Sequence, residues 1–189
     1  MFASVRSVGL LGIDGYYVDV EVHLALGLQN FDIVGLGDGA IRESRVRIRS
    51  ALRNSGFEFP RRRISINLAP ADVPKMGTGF DLAIAIALLV ASGAIAPPNL
   101  DETVFFGELS LDGSLRPVRG ALPLALYARQ HGARRLVLPR ANLDEVAGIG
   151  QLDLVGLEDL RDVGRRLEEP IPTHPPSRAL RLSQTPQSC

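Results

Sequence analysis

From Phe80 to Ala91 the chain reads FDLAIAIALLVA, with Asp81 as its only charge. A helix that is apolar around its whole circumference belongs inside a core, so other layers of the fold must cover this one. Just upstream, Ile64, Ile66 and Leu68 alternate with Ser65 and Asn67, the period of two that marks a strand with one buried face. Between the two, Pro70 and Pro74 interrupt regular structure and Gly77-Thr78-Gly79 forms a flexible turn that also carries Lys75. Asp81, at the start of the helix, is expected to accept free backbone N–H groups and to meet the positive end of the helix dipole. Strand, glycine loop and buried helix thus form one core unit. Its loop, with Lys75, Gly77, Thr78, Gly79 and Asp81, is the first candidate site.

Tyr17, Asp19, Glu21 and His23 alternate with Val18, Val20, Val22 and Leu24, an amphipathic strand. Ile13-Asp14-Gly15 reads as the turn of a hairpin joining it to an apolar run over residues 3–11. Phe31–Val34 is a third strand. Gly35, Gly37 and Gly39 then lead into a helix of about residues 40–54, with Asp38 as its cap. A phosphate-binding loop is the competing reading, but the spacing is not that of a dinucleotide fingerprint. Ile41, Ser44, Ile48, Ala51 and Leu52 share the buried face of that helix, and Gly56 stops it. Further strands are expected at 104–106, 109–111, 115–118, 135–139 and 152–155, with a hairpin turn at Asp112-Gly113. Further helices are expected at 121–130, from an Asn142 cap to 147, and at 157–167. From Glu168 the prolines mix with Ser, Thr and Gln, which reads as a disordered tail or linker over 168–189 behind a single domain at 1–167.

Composition narrows the chemistry. The chain has 189 residues, balanced charge (21 basic, 21 acidic) and a single lysine, Lys75, so the molecule as a whole is not a polycation. The lone cysteine, Cys189, leaves no disulfide framework and no thiolate metal cluster, and His23, His131 and His174 are scattered, so no metal site is expected. A reducing, cytoplasmic location fits this usage. No signal peptide is visible, and the apolar run at 82–96 is shorter than the roughly 18 residues that suggest a membrane span.

Three longer stretches converge on one family. FDIVG at 31–35, SALRNSGFEFPRRRISINLAPADVP at 50–74 and FGELSLDGSLRPVRG at 106–120 closely resemble the N-terminal domain of the ComM/YifB family of magnesium-chelatase-like AAA+ ATPases. Gly37 departs from the proline expected there. The resemblance implies an α+β domain with the ribosomal protein S5 domain 2-like fold of the Lon proteolytic domain. It also implies a following AAA+ module, which would supply ATP and Mg sites and build a homo-hexamer. No G-x-x-x-x-G-K-[ST] motif occurs in this chain, so no cofactor is expected in it, and the chain reads as an isolated N-terminal domain or the product of a truncated gene.

Two functions follow from the resemblance. Lon-like peptidases set a serine in the glycine loop against a lysine on a following helix. Here Thr78 or Gly79 stands at the serine position and Leu124 where the base is expected, which implies a degenerate dyad. The ComM branch acts as a DNA branch-migration helicase in natural transformation and recombination, which implies a non-catalytic interaction domain beside the ATPase ring. Arg42, Arg45, Arg49 and Arg53 are spaced to form one helix stripe, and Arg61, Arg62 and Arg63 extend it. Residues 42–63 hold eight arginines against Glu43 and Glu58. A solvated face, an acidic edge of a neighbouring subunit and weak, non-specific DNA contact all remain open for this stripe.

Overall fold

The computed structural model describes residues 1–35 and 37–174. The described residues form nine strands, β1 (Phe2–Leu11), β2 (Asp14–Ala25), β3 (Asn30–Val34), β4 (Arg63–Ala69), β5 (Thr103–Phe105), β6 (Glu108–Leu109), β7 (Leu115–Arg116), β8 (Arg135–Pro139) and β9 (Asp153–Leu157), interspersed with helices. The helices are α1 (Gly39–Asn54), α2 (Asp81–Ala91), α3 (Ala121–Gln130), α4 (Leu143–Val146) and α5 (Val163–Leu167). Seven strands form one sheet in the order β3-β4-β2-β1-β5-β8-β9, and β6 and β7 make a separate small ribbon. The β4–β2 and β2–β1 pairs are antiparallel and the other four are parallel, so the fold is a mixed α/β arrangement around a mostly parallel sheet.

The period-two reading of β2 and β4 holds in space. Val18, Val20, Val22 and Leu24, with Ile64, Ile66 and Leu68, all face α1 and α2. Leu82, Ile84, Ile86, Leu88 and Leu89 of α2 are buried on every side, each contributing about 1.5–3 kcal/mol of apolar burial. On α1 the buried residues are Ile41, Ser44, Ile48, Ala51 and Leu52, the set its spacing predicts. A second apolar cluster lies across the sheet, where α3 and α4 cover Val8, Val104, Leu136 and Leu138.

Several local expectations shift. The β1–β2 hairpin turns at Gly12-Ile13, because Gly12 takes the positive φ of 66° that the first residue of such a two-residue turn needs; Asp14 and Gly15 are already in the strand. Asn142 does not cap α4. Its amide instead accepts from Val118 N (3.0 Å) and donates to Val118 O (3.0 Å), pinning the loop before α3. The expected strands at 109–111 and 115–118 shrink to the two-residue β6 and β7. The last helix is also shorter than expected, since β9 runs on to Leu157 and a 3-10 turn at Leu160–Asp162 precedes α5.

Packing continues past residue 167. Ile171 is buried, its N–H donates to Asn99 Oδ1, and Arg135 and Arg134 donate to the carbonyls of Glu169 (2.8 Å) and Pro172 (3.4 Å). Of the tail expected over 168–189, residues 169–172 pack as described, and 175–189 lie outside the described residues.

Candidate functional site

The glycine loop joins β4 to α2, and its neighbours come from three other elements. Asp38 caps α1 by accepting from Ile41 N (3.0 Å), as expected, and also accepts from Gly77 N (3.1 Å), while its own N–H donates to Lys75 O (3.1 Å). The cap of α1 therefore also closes the glycine loop. Tyr16 Oη donates to Pro74 O at 3.2 Å from the β2 side.

The loop's polar groups are turned inward. The Lys75 side chain is fully buried and its ammonium donates to the Pro70 carbonyl, so burial pushes its pKa down, with Asp72 opposing. Thr78 Oγ1 is half-buried and donates to Glu108 Oε2 at 2.6 Å. Gly79 is half-buried, and a Cβ there would meet Val118 Cγ1 at 3.9 Å. It also accepts from Gly107 N (2.8 Å), while Leu82 N donates to Gly107 O (3.0 Å), stitching the start of α2 to the segment after β5.

Asp81 does not play the capping role expected of it. Its side chain, 1% exposed, receives Nε (2.8 Å) and Nη2 (3.1 Å) of Arg47 and the N–H of Leu109 (3.1 Å). Burial raises its pKa to about 6; the Arg47 and Leu109 bonds oppose that rise, and the Glu108 charge adds to it. This ion pair ties α1, α2 and β6 together. The sequence does hold a signal for it: a carboxylate opening an all-apolar helix needs a buried partner. Arg47 sits roughly 140° around α1 from Arg42, off the arginine stripe and on the flank toward α2.

The base position expected on α3 falls elsewhere. Leu124 is 6% exposed and belongs to the second apolar cluster, with Phe106, Leu136 and Leu138, rather than to the loop. Among the described residues, no group of His, Cys, Asp or Glu is arranged to hold a metal.

The arginine stripe divides. Arg45 leaves it, donating to Arg42 O (3.1 Å) and to Phe31 O on the edge strand β3 (3.2 Å). Arg42, Arg49 and Arg53 stay on the solvent face with Val46 between them. The guanidinium groups of Arg49 and Arg53 lie over the ring of Phe59, 5.2 and 5.9 Å from its centroid. Arg61 and Arg63 are exposed and Arg62 half-buried; Arg61 and Arg62 line a cleft of about 460 Å³ with Phe59, Pro60, Glu58 and Ala94. Among the described residues none of these six arginines forms an ion pair.

The architecture so described is a mixed α/β domain with a closed glycine loop on one side of α1 and a bare basic face on the other. A family model described as subunit ChlI of Mg-chelatase matches residues 20–142, and the chain belongs to that family. It is 43% identical over 182 residues to the uncharacterized protein YifB of Escherichia coli, covering 93% of this chain and 36% of that protein. It is 40% identical over 161 residues to the competence protein ComM of Haemophilus influenzae, covering 85% and 31% respectively. A Lon protease of Chloroflexus aurantiacus is 33% identical over 138 residues, 69% of this chain and 16% of that enzyme. The chain thus spans about a third of the length of its YifB and ComM relatives.

Proposed function

We propose that this chain is a non-catalytic N-terminal interaction domain of a ComM-like AAA+ ATPase, a DNA branch-migration helicase acting in natural transformation and recombination. The observation that carries the reading is where the polar groups are spent. Lys75, Thr78 and Asp81 are each held by an internal partner, while the free charges lie on the outer face of α1 and just after it. A loop closed in this way serves as a structural lock, and a bare basic face serves as a contact surface.

In this reading the domain adopts the ribosomal protein S5 domain 2-like fold, an assignment supported by its identity to a Lon protease. It works in the cytoplasm beside an AAA+ module of the same protein, within a homo-hexamer, and makes weak, non-specific DNA contact. ATP and Mg act in the AAA+ module, and this chain holds no cofactor. The test is to mix it with the remaining part of a ComM relative and measure sedimentation. A stoichiometric complex supports the reading, and two independent species refute it.

One contact favours a second reading, a Lon-like Ser/Thr peptidase. Thr78 lies 2.6 Å from a carboxylate oxygen of Glu108, so the hydroxyl has an acceptor within proton-transfer distance. The leucine at position 124, where the family's lysine base is expected, weighs against it, since Leu124 is buried in the second apolar cluster and carries no group that can take a proton from the hydroxyl.

A further inference from the structure

We propose that Phe59 is a positioning residue for phosphate binding, holding Arg49 and Arg53 as a pair beside the Arg61–Arg62 cleft. This inference rests on the reading that the basic face meets nucleic acid.

Three observations converge on it. First, the arginines near α1 are not equivalent. Arg47 is spent on Asp81 and the Ala40 carbonyl, and Arg45, though exposed, is tied by Nε and Nη1 to the carbonyls of Arg42 and Phe31. Arg42, Arg49 and Arg53 are exposed and have no acid partner among the described residues.

Second, like charges one helical turn apart repel, yet Arg49 and Arg53 both settle over the same ring. The negative face of an aromatic ring attracts a guanidinium without neutralising it and leaves its N–H donors free. Phe59 is itself fixed. It is 4% exposed and its ring lies 5.7 Å from that of Phe31, tilted by 46°. A flexible side chain held in its binding posture loses less entropy when a ligand arrives, and the pair of forks offers the bidentate geometry that suits phosphate oxygens.

Third, Phe59 also lines the cleft of about 460 Å³ that Arg61 and Arg62 border, so the ring joins the helix row to the second basic group. Among the described residues Glu58 is the one acid lining that cleft. A backbone with phosphates in series, rather than a single anion, can engage both groups together. Nothing in the arrangement reads bases, so binding is independent of sequence.

The test uses the whole chain, fluorescein-labelled linear and branched DNA, and anisotropy titrations from about 20 to 200 mM salt. Four proteins are compared: wild type, Phe59→Leu, Arg49→Gln with Arg53→Gln, and the triple variant. Each is first shown by circular dichroism to melt cooperatively above the assay temperature.

Losing two phosphate contacts should flatten the slope of log K against log salt by about 2. Phe59→Leu should weaken binding about three- to tenfold with the slope kept, because the forks remain but are no longer held. In the triple variant the leucine should add no further loss, the signature of a residue acting only through that pair. A Phe59→Leu loss of equal size with and without the two arginines, or no loss at all, overturns the positioning role while leaving DNA contact intact. Absence of any salt-dependent binding by the wild type overturns the DNA reading, and the inference with it.

Discussion

Replacing Arg47 with methionine should destabilise the fold in a way that depends steeply on pH. The methionine keeps most of the stem's apolar contact and removes only the guanidinium. What is left is the Asp81 carboxylate, 1% exposed and bonded only to Leu109 N. Removing one partner of a buried pair costs about 3–5 kcal/mol, because the other charge stays buried. Asp81 can escape that cost by taking a proton. Even with Arg47 present its folded pKa is about 6, against about 3.9 in an unfolded chain. The native state therefore binds more protons than the unfolded state between these values. Stability from this group is then highest at low pH and falls as pH rises through the window, by about 3 kcal/mol in the wild type. Without Arg47, which lowers the Asp81 pKa, the window extends further upward and the loss continues above pH 6. Urea unfolding followed by circular dichroism at pH 4.5, 6 and 8 reads this directly. The difference between wild type and Arg47→Met should be about 1 kcal/mol at pH 4.5 and about 3–5 kcal/mol at pH 8. Adding Asp81→Asn should remove the pH dependence. A difference that is constant with pH, or larger at pH 4.5, would refute the reasoning.

Other substitutions test neighbouring parts of the account. Gly35 has a φ of 107°, and a Cβ there would lie 2.3 Å from Leu68 O on β4, so Gly35→Ala should cost more than about 3 kcal/mol in urea melts, whereas Gly39→Ala, with open space at its Cβ, should stay within about 0.5 kcal/mol. Ile171→Ser should cost about 1–2 kcal/mol by thermal melting if residues 169–172 dock as described; an unchanged midpoint would mean that this segment adds nothing. A fluorescent ATP analogue with magnesium should show no saturable binding to this chain, and micromolar saturation would contradict the assignment of ATP to another module.

Much of the framework was legible in the residues, because it rests on local periodicity. The buried faces of β2, β4 and α1 follow from side-chain spacing alone, and β8 and α3 begin and end where strand and helix signals place them. The sheet order was not legible. The parallel pairing of β1 with β5 brings Arg6 and Ser7 beside Val104 and Phe105, about a hundred residues away, and no local pattern encodes such a partner. The site divides the same way. The four-residue spacing of Arg45, Arg49 and Arg53 predicts a stripe, yet tertiary contacts decide which of its members are free, and Arg45 is taken by the edge strand. Asp81 obeyed the rule for buried charges rather than the rule for helix caps, since Arg47 offers a full countercharge where the backbone offers only dipoles. Glu108, the partner of Thr78, carried no signal in the sequence at all.

The most direct test of an interaction domain against an enzyme is hydrolysis itself. The full chain, incubated with casein and with a fluorogenic peptide across pH 6–9, should release no product above the buffer blank, and Thr78→Ala and Glu108→Gln should be indistinguishable from wild type. Turnover by the wild type that disappears in Thr78→Ala would show that the glycine loop is a working site, and would contradict the central claim.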